Sequence, residues 1–163
     1  MVVSNSSPLV YLAALGDFDL LRVLFDEITI PPTVFQEVAI AGARFPVSPA
    51  VLAARDKWIH VRGVRDPTLA DHFRSAGLHP GESEALALAV EIQPDALLMD
   101  DQEAVHRAVS LGVNVIRTPG VYRLAKQRGL LPAVAPKLED LRRAGFWLRD
   151  DHFSTILRSV GEL

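Results

Sequence analysis

With 163 residues, 49% of them apolar, and a formal charge of −3, the chain is sized for one domain with a substantial core and is too short for two large ones. The absence of cysteine excludes a disulfide framework, a zinc–thiolate site and a cysteine nucleophile. Negative net charge excludes a globally basic nucleic-acid binder and leaves only a local patch for contact with phosphates.

The N-terminus, Met1 to Asn5, has no positive region ahead of an apolar run. No stretch approaches the roughly 20 apolar residues of a spanning helix. The expectation is a soluble cytoplasmic protein in a reducing compartment, without a membrane partner. Val2-Val3-Ser4 reads as a short strand, Asn5 as the turn out of it, and Ser6-Ser7-Pro8 as a helix start. Gly16 breaks this first helix, and Asp17 is positioned to cap a second one through Phe25.

Glu27 to Ile30 is β-rich and ends at Pro31-Pro32, after which Val34, Phe35, Val38 and Ala41 recur at helical spacing up to Gly42. The segment from Ala43 to Arg55 carries Pro46 and Pro49 and has no clear period, whereas Trp58 to Val61 reads as a strand. A helix follows Asp66-Pro67, and a turn at His79-Pro80-Gly81 precedes Glu82 to Val90. Nearly every position after Glu84 is small or apolar there, so this helix is expected to be buried on most of its circumference.

The run Asp95 to Met99, continuously apolar after its first residue, is closed by Asp100-Asp101, Gln102 to Leu111 is helical, and a second run, expected to be buried, covers Val113 to Ile116. Continuous apolar strands joined by helices indicate a parallel sheet covered on both faces. The predicted fold is therefore α/β, a three-layer α/β/α sandwich around a central parallel sheet. Helices at Pro119 to Arg128 and Pro136 to Ala144, each followed by glycine, and a last one after Asp150-Asp151 complete the chain. A single domain over 1–163 is expected, with a helical extension from about residue 132.

In open parallel sheets ligands gather at the carboxyl ends of the strands. The polar residues expected there are Asn5, Asp100 and Asp101, joined by Glu37 within an apolar helix and by Glu82 and Glu84 at the start of the buried helix. Each has a bland reading: Glu82 and Glu84 complement a helix dipole, Asp100 or Asp101 caps the next helix, and Glu37 reaches water. Together they form the oxygen-rich set that Mg²⁺ or Mn²⁺ requires, because hard cations take a few carboxylates and keep several waters. Arg44, Arg55 and Lys57 lie in a basic stretch broken by one acid, Asp56, read either as an RNA-contacting patch or as a solvated face.

Glycine-rich phosphate loops and the serine-hydrolase elbow are absent, and the five histidines lack metal-ligand spacing. Asn5-Ser6-Ser7-Pro8-Leu9, Val34-Phe35-Gln36-Glu37-Val38, Gly81-Glu82-Ser83-Glu84-Ala85 and Leu97-Leu98-Met99-Asp100-Asp101 resemble, in order and spacing, the acidic motifs of the PIN-domain superfamily. The C-terminal tail resembles a prokaryotic VapC-like branch in which Asn-Ser-Ser-Pro-Leu replaces the first-strand aspartate motif.

This resemblance implies a metal-dependent, single-strand-specific endoribonuclease, the toxin of a toxin–antitoxin pair. Glu37, Glu84 and Asp101 stand on family acids, Glu82 and Asp100 are neighbours able to assist, and Mg²⁺ or Mn²⁺ is the cofactor. It also implies a small antitoxin partner and a homodimer. Ser6 and Ser7 either hold a phosphate or cap the first helix. Asn5 departs from the aspartate of active members and opens an alternative: a catalytically weakened PIN-like binding or regulatory module that pairs with an antitoxin or itself.

Overall fold

The computed structural model describes residues 1–163. Five strands alternate with helices: β1 (Val2–Ser4), α1 (Ser6–Ala14), α2 (Asp19–Phe25), β2 (Ile28–Ile30), α3 (Pro32–Phe35), α4 (Val47–Ala54), β3 (Ile59–Val61) and α5 (Thr68–Ser75). After them come α6 (Pro80–Ile92), β4 (Ala96–Leu98), α7 (Gln102–Ser110), β5 (Val115–Ile116), α8 (Thr118–Gln127), α9 (Ala135–Arg143) and α10 (Asp150–Ser159). All pairings are parallel in the order β3-β2-β1-β4-β5, and Val3 stands opposite both Thr29 and Leu97. The fold is the expected three-layer α/β/α sandwich.

Burial explains the apolar runs. β1, β2 and β4 are buried at every residue, as central strands covered on both faces require. β5 is shorter than the expected run and only half-buried, because it is an edge strand with one neighbour. α6 buries Ala85 through Ala89, and its small residues let it lie close against β1, β4, α3 and α5. Leu86 and Leu88 are fully buried, and each contributes about 1.5–3 kcal/mol by leaving water. One apolar cluster of 41 buried side chains runs from Val2 to Leu157, so α9 and α10 share the core of the preceding elements. No helix is long and apolar enough to cross a membrane.

Two local expectations change. Asp17 does not cap α2, which starts at Asp19 without a side-chain cap; its carboxylate instead takes the Tyr122 hydroxyl at 2.7 Å and Lys137 Nζ at 2.8 Å, tying the α1–α2 turn to α8 and α9. The helix expected up to Gly42 widens from Gln36 to Ala41 into a π-helical segment that carries Glu37. Such wide turns are rare and concentrate at functional sites. Gly42 closes the segment because a Cβ there would stand 2.6 Å from the Val38 carbonyl oxygen.

Candidate functional site

The strand order reverses beside β1: the chain moves from β1 to β2 and β3, then returns to the other side of β1 as β4. In an open parallel sheet the crevice beyond the carboxyl ends at such a point is where ligands bind. Asn5 leaves β1 there and Asp100 follows β4, with the Asn5 N–H donating to the Leu98 carbonyl at 2.9 Å. α6 returns toward the amino edge of the sheet, so its first turn, with Gly81 and Glu82, also lies at this rim.

An open cleft of about 510 Å³ occupies this position, walled by Asn5, Ser6, Ser7, Tyr11, Glu37, His79 and Glu82. Asn5 is 5% exposed, and its side-chain Oδ1 is buried without any hydrogen-bond donor. Asn5 occupies the N-cap position of α1 yet makes no side-chain cap bond, so an acceptor that elsewhere satisfies a helix end is left open. A buried unpaired acceptor costs about 1–3 kcal/mol, and a ligand atom in the cleft would recover it.

Both serine hydroxyls bind carboxylates, an arrangement outside the two expected ones, and neither caps α1. Ser6 Oγ donates to Glu37 Oε2, and Ser7 Oγ donates to Asp100 Oδ2 at 2.8 Å. Glu37 is fixed from its other side by the Gly81 N–H, 3.1 Å from Oε1. Asp100 is 8% exposed and accepts three hydrogen bonds, from the Thr118 N–H and hydroxyl, both at 2.7 Å, and from Ser7. It therefore joins the ends of β4, α1 and α8 and has little capacity left for a ligand.

Asp101 caps α7, accepting the Ala104 N–H at 2.9 Å, and is exposed at the rim. Glu82 reaches back to the His79 N–H at 3.0 Å. Burial, with the negative charges of Asp101 and Glu37 adding to it, holds the Glu82 carboxyl above the usual glutamate range although the His79 N–H opposes the shift. The acids thus crowd one another electrostatically.

Glu84 lies elsewhere. Its carboxylate accepts the Thr33 N–H at 2.8 Å, satisfying an orphan donor in the first turn of α3, and it is not part of the cleft wall. Residues two apart on a helix point to opposite sides, so only one of Glu82 and Glu84 faces the cleft, and it is Glu82. Arg55 and Lys57 directly precede β3 and so lie at the amino edge of the sheet, opposite the cleft. The Arg55 guanidinium sits 4.7 Å from the Phe35 ring centroid, and Lys57 borders a hollow with Asp19, Asp26 and Glu27. Arg44 is exposed in the turn beyond the π-helical segment.

Tyr11, His79, Gly81 and Thr118 are site residues that the sequence reading does not single out. Thr118 has a legible signal, since it follows β5 and opens α8 with Thr-Pro-Gly just as Asn5 follows β1. Burial, and then the Asp100 charge, raise the Tyr11 phenol above its ordinary pKa, which keeps it a neutral hydrogen-bond donor on the cleft wall.

No three acidic or histidine side chains converge into a preformed metal cage. The open Asn5 Oδ1, with Glu37 and Glu82 on the same cleft, nevertheless fits a hard cation that keeps several waters and takes two or three protein oxygens. It does not fit a fully dehydrated ion or a zinc site.

The sequence model of the PIN domain family matches residues 1–162, so the chain belongs to that family. Membership makes its function of the nuclease type, in a family of domains that in general depend on divalent metal and act on RNA. No curated protein and no solved structure matches the chain.

Proposed function

We propose that this protein is a metal-dependent endoribonuclease cleaving single-stranded RNA, with Asn5, Glu37 and Glu82 as the residues that hold Mg²⁺ or Mn²⁺. The observation that carries the reading is the buried, unpartnered Asn5 Oδ1 on the same cleft as two carboxylates, at the point where the strand order reverses. Asp101, at the rim and electrically coupled to Glu82, assists from the side. Glu84 is reassigned to the support of α3.

When bound, the metal would supply a water of lowered pKa and stabilise charge on the phosphodiester oxygens. The chain's own residues hold the geometry. Ser6 and the Gly81 N–H fix the Glu37 carboxylate from two sides, while Ser7 and Thr118 lock Asp100 and with it the rim between β4 and α8. Tyr11 is a neutral donor beside the start of α1, whose positive dipole end favours a phosphate.

The role of a toxin held by a small antitoxin in the cytoplasm, and a homodimer, belong to the same proposal. Supporting them, Val10 at 36%, Ile40 at 55% and Phe45 at 60% exposure lie on or next to elements of the cleft and would be covered by a protein partner.

Two observations favour a second reading, the weakened binding module: Asn5 carries no charge, and no three acids converge. Incubating the purified chain with a fluorescent single-stranded oligoribonucleotide and Mn²⁺, with and without EDTA, separates the two. EDTA-sensitive cleavage abolished by Glu37→Gln supports the enzyme; metal-bound protein without cleavage supports the module.

A further inference from the structure

A second concavity, about 300 Å³, is lined in part by Arg117, which hydrogen-bonds Asp100. It begins at Gln102, one residue beyond Asp101, and is floored by Ile116 of the edge strand with Phe146 and Ile156. Arg117 joins it to the cleft: the residue lines the groove, while its Nη2 donates to the Asp100 carbonyl at 2.7 Å.

Charge distinguishes this groove from the rest of the molecule. The chain carries −3 overall, yet no aspartate or glutamate lines the groove, whereas Arg117, Arg123, Arg149 and His152 do. Arg149 is neutralised by a bidentate pair with Asp151. Arg117 and Arg123 take part in no ion pair, and Arg117 Nε is a buried donor without an acceptor. Trp147 stands on the same wall 72% exposed, the most exposed large apolar side chain of the protein. Unpaired cations beside a solvent-facing indole and an apolar floor suit a ligand that is anionic at one end and a flat aromatic at the other.

We infer that this groove binds one nucleotide of a single-stranded RNA, with its base against Trp147 and its phosphate at Arg123 and Arg117, next to the point where the strand enters the acidic cleft. Resting on the ribonuclease reading above, this assigns the groove the task of setting where the strand lies relative to the scissile phosphate. Base–aromatic stacking tolerates any base, because every base has a π face, and arginine adds phosphate attraction. Duplex RNA, with its bases stacked inside, cannot use Trp147 in this way.

The chain has two tryptophans, and Trp58 is 9% exposed, packed on Phe18 at the amino edge of the sheet. A change in tryptophan emission on adding RNA therefore reports on Trp147, over a constant contribution from Trp58. Titrating the full chain with octauridylate in EDTA, so that nothing is cleaved, is expected to quench emission, and a blunt, G–C-rich RNA duplex that stays paired under the assay conditions is expected not to. Trp147→Ala should weaken binding, followed by anisotropy of labelled octauridylate, by about 5- to 150-fold, with Trp147→Phe restoring most of it. Arg123→Ala should lower the slope of log Kd against log salt by about 0.7.

An unchanged Kd in Trp147→Ala, or equal quenching by the duplex, overturns the inference. It is also overturned if sedimentation shows a dimer that Trp147→Ala dissociates, since the groove is then filled by a second copy. If Trp147→Ala cleaves RNA with unaltered KM, the groove reading fails while the nuclease stands. Quenching by a chain that never cleaves leaves the groove reading intact and removes the nuclease.

Discussion

The Glu37 carboxylate rests on the backbone of Gly81: Oε1 accepts the Gly81 N–H at 3.1 Å, and a Cβ at residue 81 would stand 2.5 Å from both carboxylate oxygens. The Gly-Glu pair that opens α6 thus has two distinct uses. The glycine makes room for an acid from the π-helical segment, and the next residue supplies an acid of its own.

Gly81→Ala is therefore expected to fold, because alanine is the better helix former by up to about 1 kcal/mol, but to push Glu37 off its seat. Metal affinity, read from the metal-induced gain in stability, and RNA cleavage should both fall by about tenfold or more. In a Glu37→Ala background the same change should be neutral or stabilising, since the colliding group is gone. A double-mutant cycle by urea denaturation measures this coupling, and equal effects of Gly81→Ala in both backgrounds would show that the contact is irrelevant.

Glu82 and Glu84 give opposite phenotypes on this geometry. Glu82→Ala removes a cleft carboxylate and should abolish metal-dependent cleavage. Glu84→Ala removes the acceptor for the Thr33 N–H and should cost about 0.5–2 kcal/mol, in the range of a lost helix cap, while cleavage per folded molecule persists. Melting curves beside single-turnover cleavage distinguish the two, and the reverse pattern would return Glu84 to the site.

The pH dependence of stability tests the crowding of the acids. Burial above all, with the charges of Asp101 and Glu37 adding to it, raises Glu82, so the native state holds this proton more tightly than the unfolded chain does. That contribution is complete below the ordinary glutamate pKa and is lost as pH rises through the raised value. In EDTA, Glu82→Gln keeps an acceptor for the His79 N–H without the charge. It should be more stable than the parent at pH 7, with the difference shrinking toward about pH 4. A gain of equal size at both pH values would place its origin outside ionisation.

What the sequence made legible follows from which signals are local. Val2-Val3 and Ala96 to Met99 are unbroken apolar runs, and Ile28 to Ile30 is broken only by Thr29, because both sheet faces are covered; this implies a parallel sandwich with polar residues at strand ends. Helical phase at a terminus is not local in this sense. Two glutamates flanking Ser83 look equivalent until the phase of α6 from Pro80 decides which one faces the cleft. The basic stretch containing Arg55 and Lys57, open in sequence to an RNA-contacting or a solvated reading, stands apart from the cleft for a topological reason, since residues before a parallel strand and residues after it lie at opposite edges of the sheet. The widening around Glu37 left no trace either, because Val34, Phe35 and Val38 fit an ordinary helix equally well.

Asn5 separates an enzyme from a binding module most directly. Its Oδ1 is buried with no donor, and Glu37 and Glu82 share its cleft. Asn5→Asp therefore adds a charge that the metal-free protein cannot pair. Stability in EDTA should fall by on the order of 1–3 kcal/mol, with part of the loss recovered at low pH as the new carboxyl takes a proton. A divalent cation reverses the balance, because two unit charges about 4 Å apart interact by roughly 4 kcal/mol at an effective dielectric of 20. Mn²⁺ should then raise the melting temperature of Asn5→Asp more than that of the parent, as tighter binding to the native state requires. Calorimetric titration with Mn²⁺ should show the tighter Kd directly. If cleavage by Asn5→Asp then exceeds that of an inert parent, the natural protein is a PIN domain kept for binding, held one carboxylate short of activity. If the parent already cleaves and the variant gains nothing, the neutral amide oxygen is a sufficient ligand and the ribonuclease reading holds. Equal metal responses combined with an unchanged metal-free stability would mean that residue 5 does not face the ion, and the assignment of this cleft as the metal site would fall.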